Sequence, residues 1–298
     1  MDSSNSVLPL AVSVHLPVID FSDKTLNPGS SKWDEVKIDV RKALEDYGCF
    51  EASFDKVSAE LKKSVFEAVE ELFKLPIHTK QRNVSTKLFH GYLYHNLYQS
   101  FGIEDANVLD RVNDFTQQLR PDHGNKNISE TLHQFSEKLS KLDVMVRRII
   151  MESFGIEKYI DGHLNSTYYL LRMMEYTTPP LLDADDEESK VGLLAHTDKN
   201  TITILHQHQV DGLEVKTKDE KWIKVKPSQD HFLVMVGDSL CALLNGRVFS
   251  PYHRVMMMGK KTRYSTGLFS VPKSEIIIDS PEELVDEEHP RIFKPYEY

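Results

Sequence analysis

Val191-Gly192-Leu193-Leu194-Ala195-His196-Thr197-Asp198-Lys199-Asn200-Thr201-Ile202-Thr203-Ile204-Leu205 is the stretch on which the reading of this chain turns. An apolar run, Leu193 to Ala195, leads into a His-x-Asp triplet, and Asn200 to Leu205 leaves it as a strand. The imidazole of His196 and the carboxylate of Asp198 are therefore expected at a strand end, projecting into a barrel mouth. His253 lies far along the chain, after the turn Ser250-Pro251-Tyr252. In a closed antiparallel barrel such distant residues meet at one rim. Two His and one carboxylate occupy one face of Fe(II) and leave other positions open for a co-substrate and O₂.

The surroundings support a barrel. From Ser166 onward no long helical pattern occurs. Short apolar runs alternate with turns: 168–174, 201–205, 212–216, 222–225, 232–236, 255–258 and 263–271. This spacing indicates an all-β sandwich or barrel. Arg263 and Ser265 are two apart in a strand and point to one face. A guanidinium and a hydroxyl side by side make a carboxylate clamp, the planar fork of Arg being suited to a bidentate pair. Rival readings exist. A His-x-Asp triplet alone is a weak signal. His206 and His208 share a strand face and form a second potential ligand pair, although the alternation with Gln207 and Gln209 reads as a polar edge. Asp238 reads as a turn residue. The same three ligands could hold zinc in a hydrolase.

The N-terminal half has another character. Apolar positions recur at helical intervals in 32–46 and 58–73, with Ser58 as N-cap and Gly48 past a helix end. A long helix is expected over 127–154 with Ser129 as N-cap, a turn over 121–126, and an extended segment over 113–119. Short strands are expected at 15–21 and 50–54. The segment 81–101 is rich in aromatic residues and His; it reads as irregular packing or as a substrate wall. Leu182 to Ser189 reads as a solvated acidic loop, and Met1 to Val14 as a loose leader.

With 298 residues and a formal net charge of −10, the chain is long enough for one large core and unsuited to non-specific nucleic-acid binding, which needs a basic face. Two cysteines, Cys49 and Cys241, make no disulfide framework, so a reduced compartment is expected. No run reaches the length of a membrane span, and no secretory signal is visible. The expectation is a cytoplasmic monomer that acts on a small molecule, without nucleic-acid or membrane partners.

His196-x-Asp198, His253 and Arg263-x-Ser265 resemble the motifs of plant 2-oxoglutarate- and Fe(II)-dependent dioxygenases. Leu16 to Phe21, Tyr47 to Phe50 and Asp211 to Val215 are similar to further segments of that family. Ser31 to Val36, Glu51 to Lys56, Asn113 to Gln118 and Pro121 to Asn125 resemble the branch containing the glucosinolate side-chain dioxygenases, which form alkenyl and hydroxyalkyl products. The resemblance implies a mainly β fold with N-terminal helices and a double-stranded β-helix, or jelly-roll, core. It implies one domain over 1–298, helical over 1–165 and jelly-roll over 166–298. It also implies Fe(II) on His196, Asp198 and His253. The co-substrate 2-oxoglutarate would meet Arg263, Ser265 and Tyr176 through its distal carboxylate, and O₂ would be the second co-substrate. The implied activity is oxidation of a C–H bond of a small plant specialised metabolite, a glucosinolate side chain being one candidate, with release of succinate and CO₂. The expected substrate wall is Phe89, His90, Phe115 and Phe269. Three departures from the family stand out. Met174 replaces an Asn, Glu51-Ala52-Ser53 replaces Asn-His-Gly, and the family's C-terminal closing helix is expected to be absent after Tyr298. These departures keep open a second reading, a catalytically impaired relative that binds a metabolite or partner.

Overall fold

The computed structural model describes residues 15–121, 126–178, 190–257 and 260–298. The leader, the acidic loop and most of the turn at 121–126 fall outside the described residues. The first half runs β1 (Val18–Asp20), α1 (Ser31–Asp46), β2 (Cys49–Ser53), α2 (Ala59–Phe73), α3 (Ile77–Lys80), β3 (Leu93–His95), β4 (Tyr98–Glu104), α4 (Leu109–Leu119), α5 (Lys126–Ser153) and α6 (Ile160–Asn165). The second half runs β5 (Thr167–Tyr176), β6 (Val191–His196), β7 (Ile202–Gln207), β8 (Leu213–Lys216), β9 (Trp222–Lys224), β10 (His231–Val236), α7 (Asp238–Leu243), β11 (His253–Met256), β12 (Arg263–Pro272), β13 (Ile277–Ile278) and β14 (Tyr296–Glu297).

Two sheets build the core. The larger has the order β1-β2-β10-β7-β12-β5-β4-β3, and the smaller β6-β11-β8-β9. Strand parity divides the larger sheet cleanly. Leu171 and Met173 of β5, Ile202 and Ile204 of β7, and Phe232 and Val234 of β10 pack with the helices. Their alternates Met174, Tyr176, Leu205, Leu233 and Met235 pack with Leu213, Val215 and Val255 of the smaller sheet. The order is thus helices, large sheet, small sheet, and the space between the sheets is where the mouth-facing residues gather.

The helices form where the apolar spacing places them. All five apolar positions of the first helical repeat, Trp33, Val36, Val40, Ala43 and Leu44, are buried. Ser58 caps α2 by accepting from the Leu61 amide at 3.2 Å, a contact worth about 1 kcal/mol. Gly48 and Gly155 take positive φ at helix ends, where a side chain would be strained.

Three expectations fail. Residues 113–119 are not extended but belong to α4. Its buried Val112, Phe115, Thr116 and Leu119 fit a helical stripe, which the polar residues between them had obscured. Ser129 is not an N-cap; it lies inside α5 and is buried, its hydroxyl 2.7 Å from that of Thr116. The aromatic segment 81–101 is not wholly irregular, since its second half forms β3 and enters β4.

Candidate metal and co-substrate site

The His-x-Asp triplet sits where β6 ends, and the antiparallel register of β11 on β6 places His253 opposite His196. The two imidazole centroids are 4.2 Å apart. Each Nε2 lies 3.8 Å from Oδ1 of Asp198. Among the described residues this is the one group of three or more His, Cys, Asp or Glu that could hold a metal ion, with ligand atoms all within 4.8 Å of one another.

The remaining atoms of these side chains are already engaged. Nδ1 of His196 donates to the Leu194 carbonyl at 2.8 Å, and Nδ1 of His253 to the Pro251 carbonyl at 3.2 Å. A carbonyl can only accept, so both Nε2 atoms carry free lone pairs directed at Asp198. Oδ2 of Asp198 accepts from the Thr203 hydroxyl at 2.6 Å, which turns Oδ1 towards the imidazoles. Burial pushes the His196 imidazole below its usual pKa; the neighbouring His253 adds to this and Asp198 opposes it. A neutral imidazole is the form a metal needs. Two imidazole nitrogens and one carboxylate oxygen on one side fit Fe(II).

The loop is held from behind. The Asp238 amide donates to the Asp198 carbonyl at 2.7 Å, and the Asp238 carboxylate accepts from the Thr197 hydroxyl at 3.0 Å. Asp238 therefore starts α7 and clamps the triplet, beyond its expected role as a turn residue. Gly237 allows this approach, since a Cβ there would lie 2.0 Å from the Asn200 carbonyl oxygen.

Arg263 lies deeper between the sheets. Its register partner across β5 and β12 is Tyr176, whose ring centre is 4.9 Å from the guanidinium carbon. Nη1 donates to the Ser265 hydroxyl at 3.2 Å and Nη2 to Gln207 Oε1 at 2.7 Å. Arg263 is 1% exposed, its Nε has no hydrogen-bond partner, and among the described residues no carboxylate forms an ion pair with it. Burial pulls its pKa below the ordinary arginine value, with Tyr176 and Asp211 opposing. A buried guanidinium without an anion is costly. One carboxylate of a dicarboxylic acid meets that need, with Ser265 as a further donor. The Tyr176 hydroxyl lies 3.7 Å from the Met174 sulfur and also interacts with the Arg263 guanidinium.

The expected aromatic wall divides. Phe89 and Phe269 lie near Arg172, and His90 near Tyr168. The Phe89 ring lies 4.5 Å from the guanidinium of Arg172 and Phe269 5.6 Å from it. His90 Nδ1 donates to the Leu88 carbonyl, so its Nε2 accepts from the Tyr168 hydroxyl, both at 2.7 Å. Phe115 does not join them. It is on α4, edge-on to Phe101 in the helix-side core, separated from the mouth by the large sheet. His206 and His208 also face the helices, packed on Phe66 with centroids 5.2 and 4.5 Å away. Two residues that orient the site, Thr203 and Gln207, were not singled out from sequence. Thr203 and Gln207 share the inward parity of Leu205 on β7, and that alternation was the available signal.

Residues 167–272 match the 2OG-Fe(II) oxygenase superfamily, and residues 16–136 match the family described as the non-haem dioxygenase in morphine synthesis N-terminal region. Among curated proteins, the chain is 77% identical to "Probable 2-oxoglutarate-dependent dioxygenase AOP1.2" of Arabidopsis thaliana, covering 100% of this chain and 92% of that protein. Among solved structures, it is similar to dioxygenase for auxin oxidation 1 from Arabidopsis thaliana in complex with 2-oxoglutarate. The TM-score is 0.82 at 26% identity, over 93% of this chain and 100% of that one. It is also similar to JOX2 in complex with 2OG, Fe and JA, with a TM-score of 0.79 at 26% identity over 99% and 88% of the two chains. No helix among the described residues is long and apolar enough to cross a membrane.

Proposed function

Because the chain belongs to the 2OG-Fe(II) oxygenase superfamily, we propose that it oxidises a C–H bond of a small plant specialised metabolite, with a glucosinolate side chain as the first substrate to test, and releases succinate and CO₂. The observation that carries this reading is the shared inner face. The two Nε2 atoms and Oδ1 of the triad converge at the rim, and an anion-deficient arginine lies deeper between the same two sheets. A site made only to hold zinc for hydrolysis has no need of that arginine.

In this reading His196, Asp198 and His253 hold Fe(II). Bound there with 2-oxoglutarate, the iron supplies O₂ activation coupled to decarboxylation of the co-substrate. The chain's own contributions are positional. Arg263 and Ser265 hold the distal carboxylate, Gln207 keeps the guanidinium fork in plane, and Tyr176 covers its face. Thr203 fixes which carboxylate oxygen of Asp198 faces the iron. Leu205, Leu233 and Val255 keep water from the space between the sheets. Phe89, His90 and Phe269 line the side from which a substrate approaches. The helical part and the jelly roll act as one domain, since α1, α2, α4 and α5 share a single core with the large sheet.

The test is succinate formation by Fe(II)-loaded protein with and without a methylsulfinylalkyl glucosinolate. Stimulation with formation of an oxidised side chain supports the reading. Succinate formation that no glucosinolate stimulates, but another plant metabolite does, moves the substrate assignment and keeps the reaction class.

A further inference from the structure

The mouth holds a second buried arginine that the iron and the co-substrate leave unused. Arg172 is in β5, two residues before Met174 and four before Tyr176, so it has the inward parity of both. It is 9% exposed. Nη2 donates to the hydroxyls of Tyr98 and Ser100. Nε is buried with no hydrogen-bond partner, and among the described residues no Asp or Glu forms an ion pair with it. It lies near the metal loop, since Phe269, whose ring is 5.6 Å from its guanidinium carbon, is the register partner of Thr203, the hydroxyl donor to Asp198.

The backbone around Arg172 is arranged to make room for the guanidinium and to cover its faces. Its register partners are Gly102 on β4 and Gly267 on β12, so neither directly neighbouring strand puts a side chain beside it. A Cβ on Gly102 would lie 2.6 Å from the Phe89 carbonyl oxygen, and one on Gly267 2.7 Å from the Phe269 ring. The glycines thus admit the two aromatic residues that flank the guanidinium. Phe89 takes φ +67° to do so, a conformation that costs a non-glycine residue on the order of 1–3 kcal/mol and that clusters at ligand sites. With both rings this close to the guanidinium carbon, its N–H groups are what it has to offer a charged partner.

We propose that Arg172, flanked by Phe89 and Phe269, is the substrate's anion subsite: the substrate carries a sulfate, sulfonate or carboxylate group that pairs with the edge of this guanidinium. This rests on the oxygenase reading, since it places the anion beside the iron rather than in the co-substrate pocket. The subsite orients the substrate by its charged end and presents the uncharged part to the metal.

The experiment uses the full chain loaded anaerobically with Fe(II) and saturating 2-oxoglutarate, so that Arg263 is occupied. Binding of alkyl sulfates, alkanesulfonates and alkyl carboxylates is measured against uncharged isosteres (alcohols, amides and methyl esters) by titration calorimetry. Wild type is expected to bind at least one anionic class tenfold or more tightly than its isosteres. Arg172→Met should reduce that ratio below twofold. Arg172→Lys should keep part of it, because the charge remains and the planar fork is lost. Phe89→Leu should reduce it about threefold, and serves if the Arg172 variants fail to fold. A wild type with no preference for anions overturns the proposal, as does a preference that survives Arg172→Met. If simple anions bind through Arg172 and glucosinolates do not bind, the subsite stands and the glucosinolate assignment falls. If glucosinolates are oxidised and Arg172→Met leaves their affinity unchanged, the assignment stands and the subsite falls.

Discussion

Two pairs of histidines offer the same chemistry on paper, and the fold puts them to opposite uses. His196 and His253 face each other across β6 and β11 with both Nδ1 atoms tied to carbonyls and both Nε2 atoms free. His206 and His208 follow each other at intervals of two at the end of β7 and face the helices. His206 is 3% exposed, lies against Phe66, Phe135 and Phe232, and has no partner on either nitrogen. Burial pushes its pKa down to about 3, with Lys62 and His208 adding to this. What separates the proposed metal ligands from the packing residues is the partner of the second nitrogen and the side of the sheet that each faces.

The largest effect expected from this contrast is on turnover. Asp198→Ala removes the central ligand and should bring substrate-stimulated succinate formation down to the background of metal-free protein, measured at saturating 2-oxoglutarate. Retained turnover would erase the distinction between the two histidine pairs.

Next comes Arg263. Arg263→Leu should weaken 2-oxoglutarate by about 3–5 kcal/mol, because a buried carboxylate loses its charge partner. Arg263→Lys should do less harm, and 2-oxobutyrate, which lacks the distal carboxylate, should respond less than 2-oxoglutarate to Arg263→Leu. Equal responses of the two oxoacids in KM would make Arg263 a structural residue.

Thr203→Val is expected to have a smaller effect. It leaves Asp198 Oδ2 without its hydroxyl donor and should lower Fe(II) affinity about 10–100-fold. An unchanged dissociation constant in anaerobic titration would show that the carboxylate is oriented without Thr203.

The smallest effect at neutral pH concerns His206. His206→Leu replaces an unsatisfied polar ring by an apolar side chain and should change stability by less than about 1 kcal/mol at pH 7. Below pH 6.5 the two proteins should diverge. The folded pKa lies below the ordinary 6.5, so the unfolded chain takes up the proton first and wild type loses stability as pH falls from about 6.5 towards 3. The variant should therefore lead by about 2–3 kcal/mol at pH 4.5 in urea unfolding. His163, which burial also holds at about 3, leaves a residual slope in both proteins. Parallel pH profiles would place His206 in a solvated setting.

Much of this was legible in the sequence, for identifiable reasons. The helical stripe of α1 and the Ser58 cap are local patterns, and their residues are buried or bonded as the spacing requires. The chemistry of the triad could be read from residue types, and parity placed Arg263 beside Ser265. The misplaced Phe115 shows the limit. Its aromatic character says that it is buried, but which side of the large sheet it occupies is decided by the docking of α4 on β4 and α5, a long-range contact with no local signature. Arg172 was missed for a similar reason. Its setting depends on Gly102 and Gly267, which are far apart in sequence and adjacent only through the register of β4, β5 and β12.

The central claim is that His196, Asp198 and His253 hold the iron and that the histidines on the helix side do not. Anaerobic equilibrium dialysis against Fe(II), with iron counted per chain, tests it in wild type, His253→Ala and His206→Leu. The expected result is about one iron per chain in wild type and in His206→Leu, and almost none in His253→Ala. Iron retained in His253→Ala, or lost from His206→Leu, would contradict the claim.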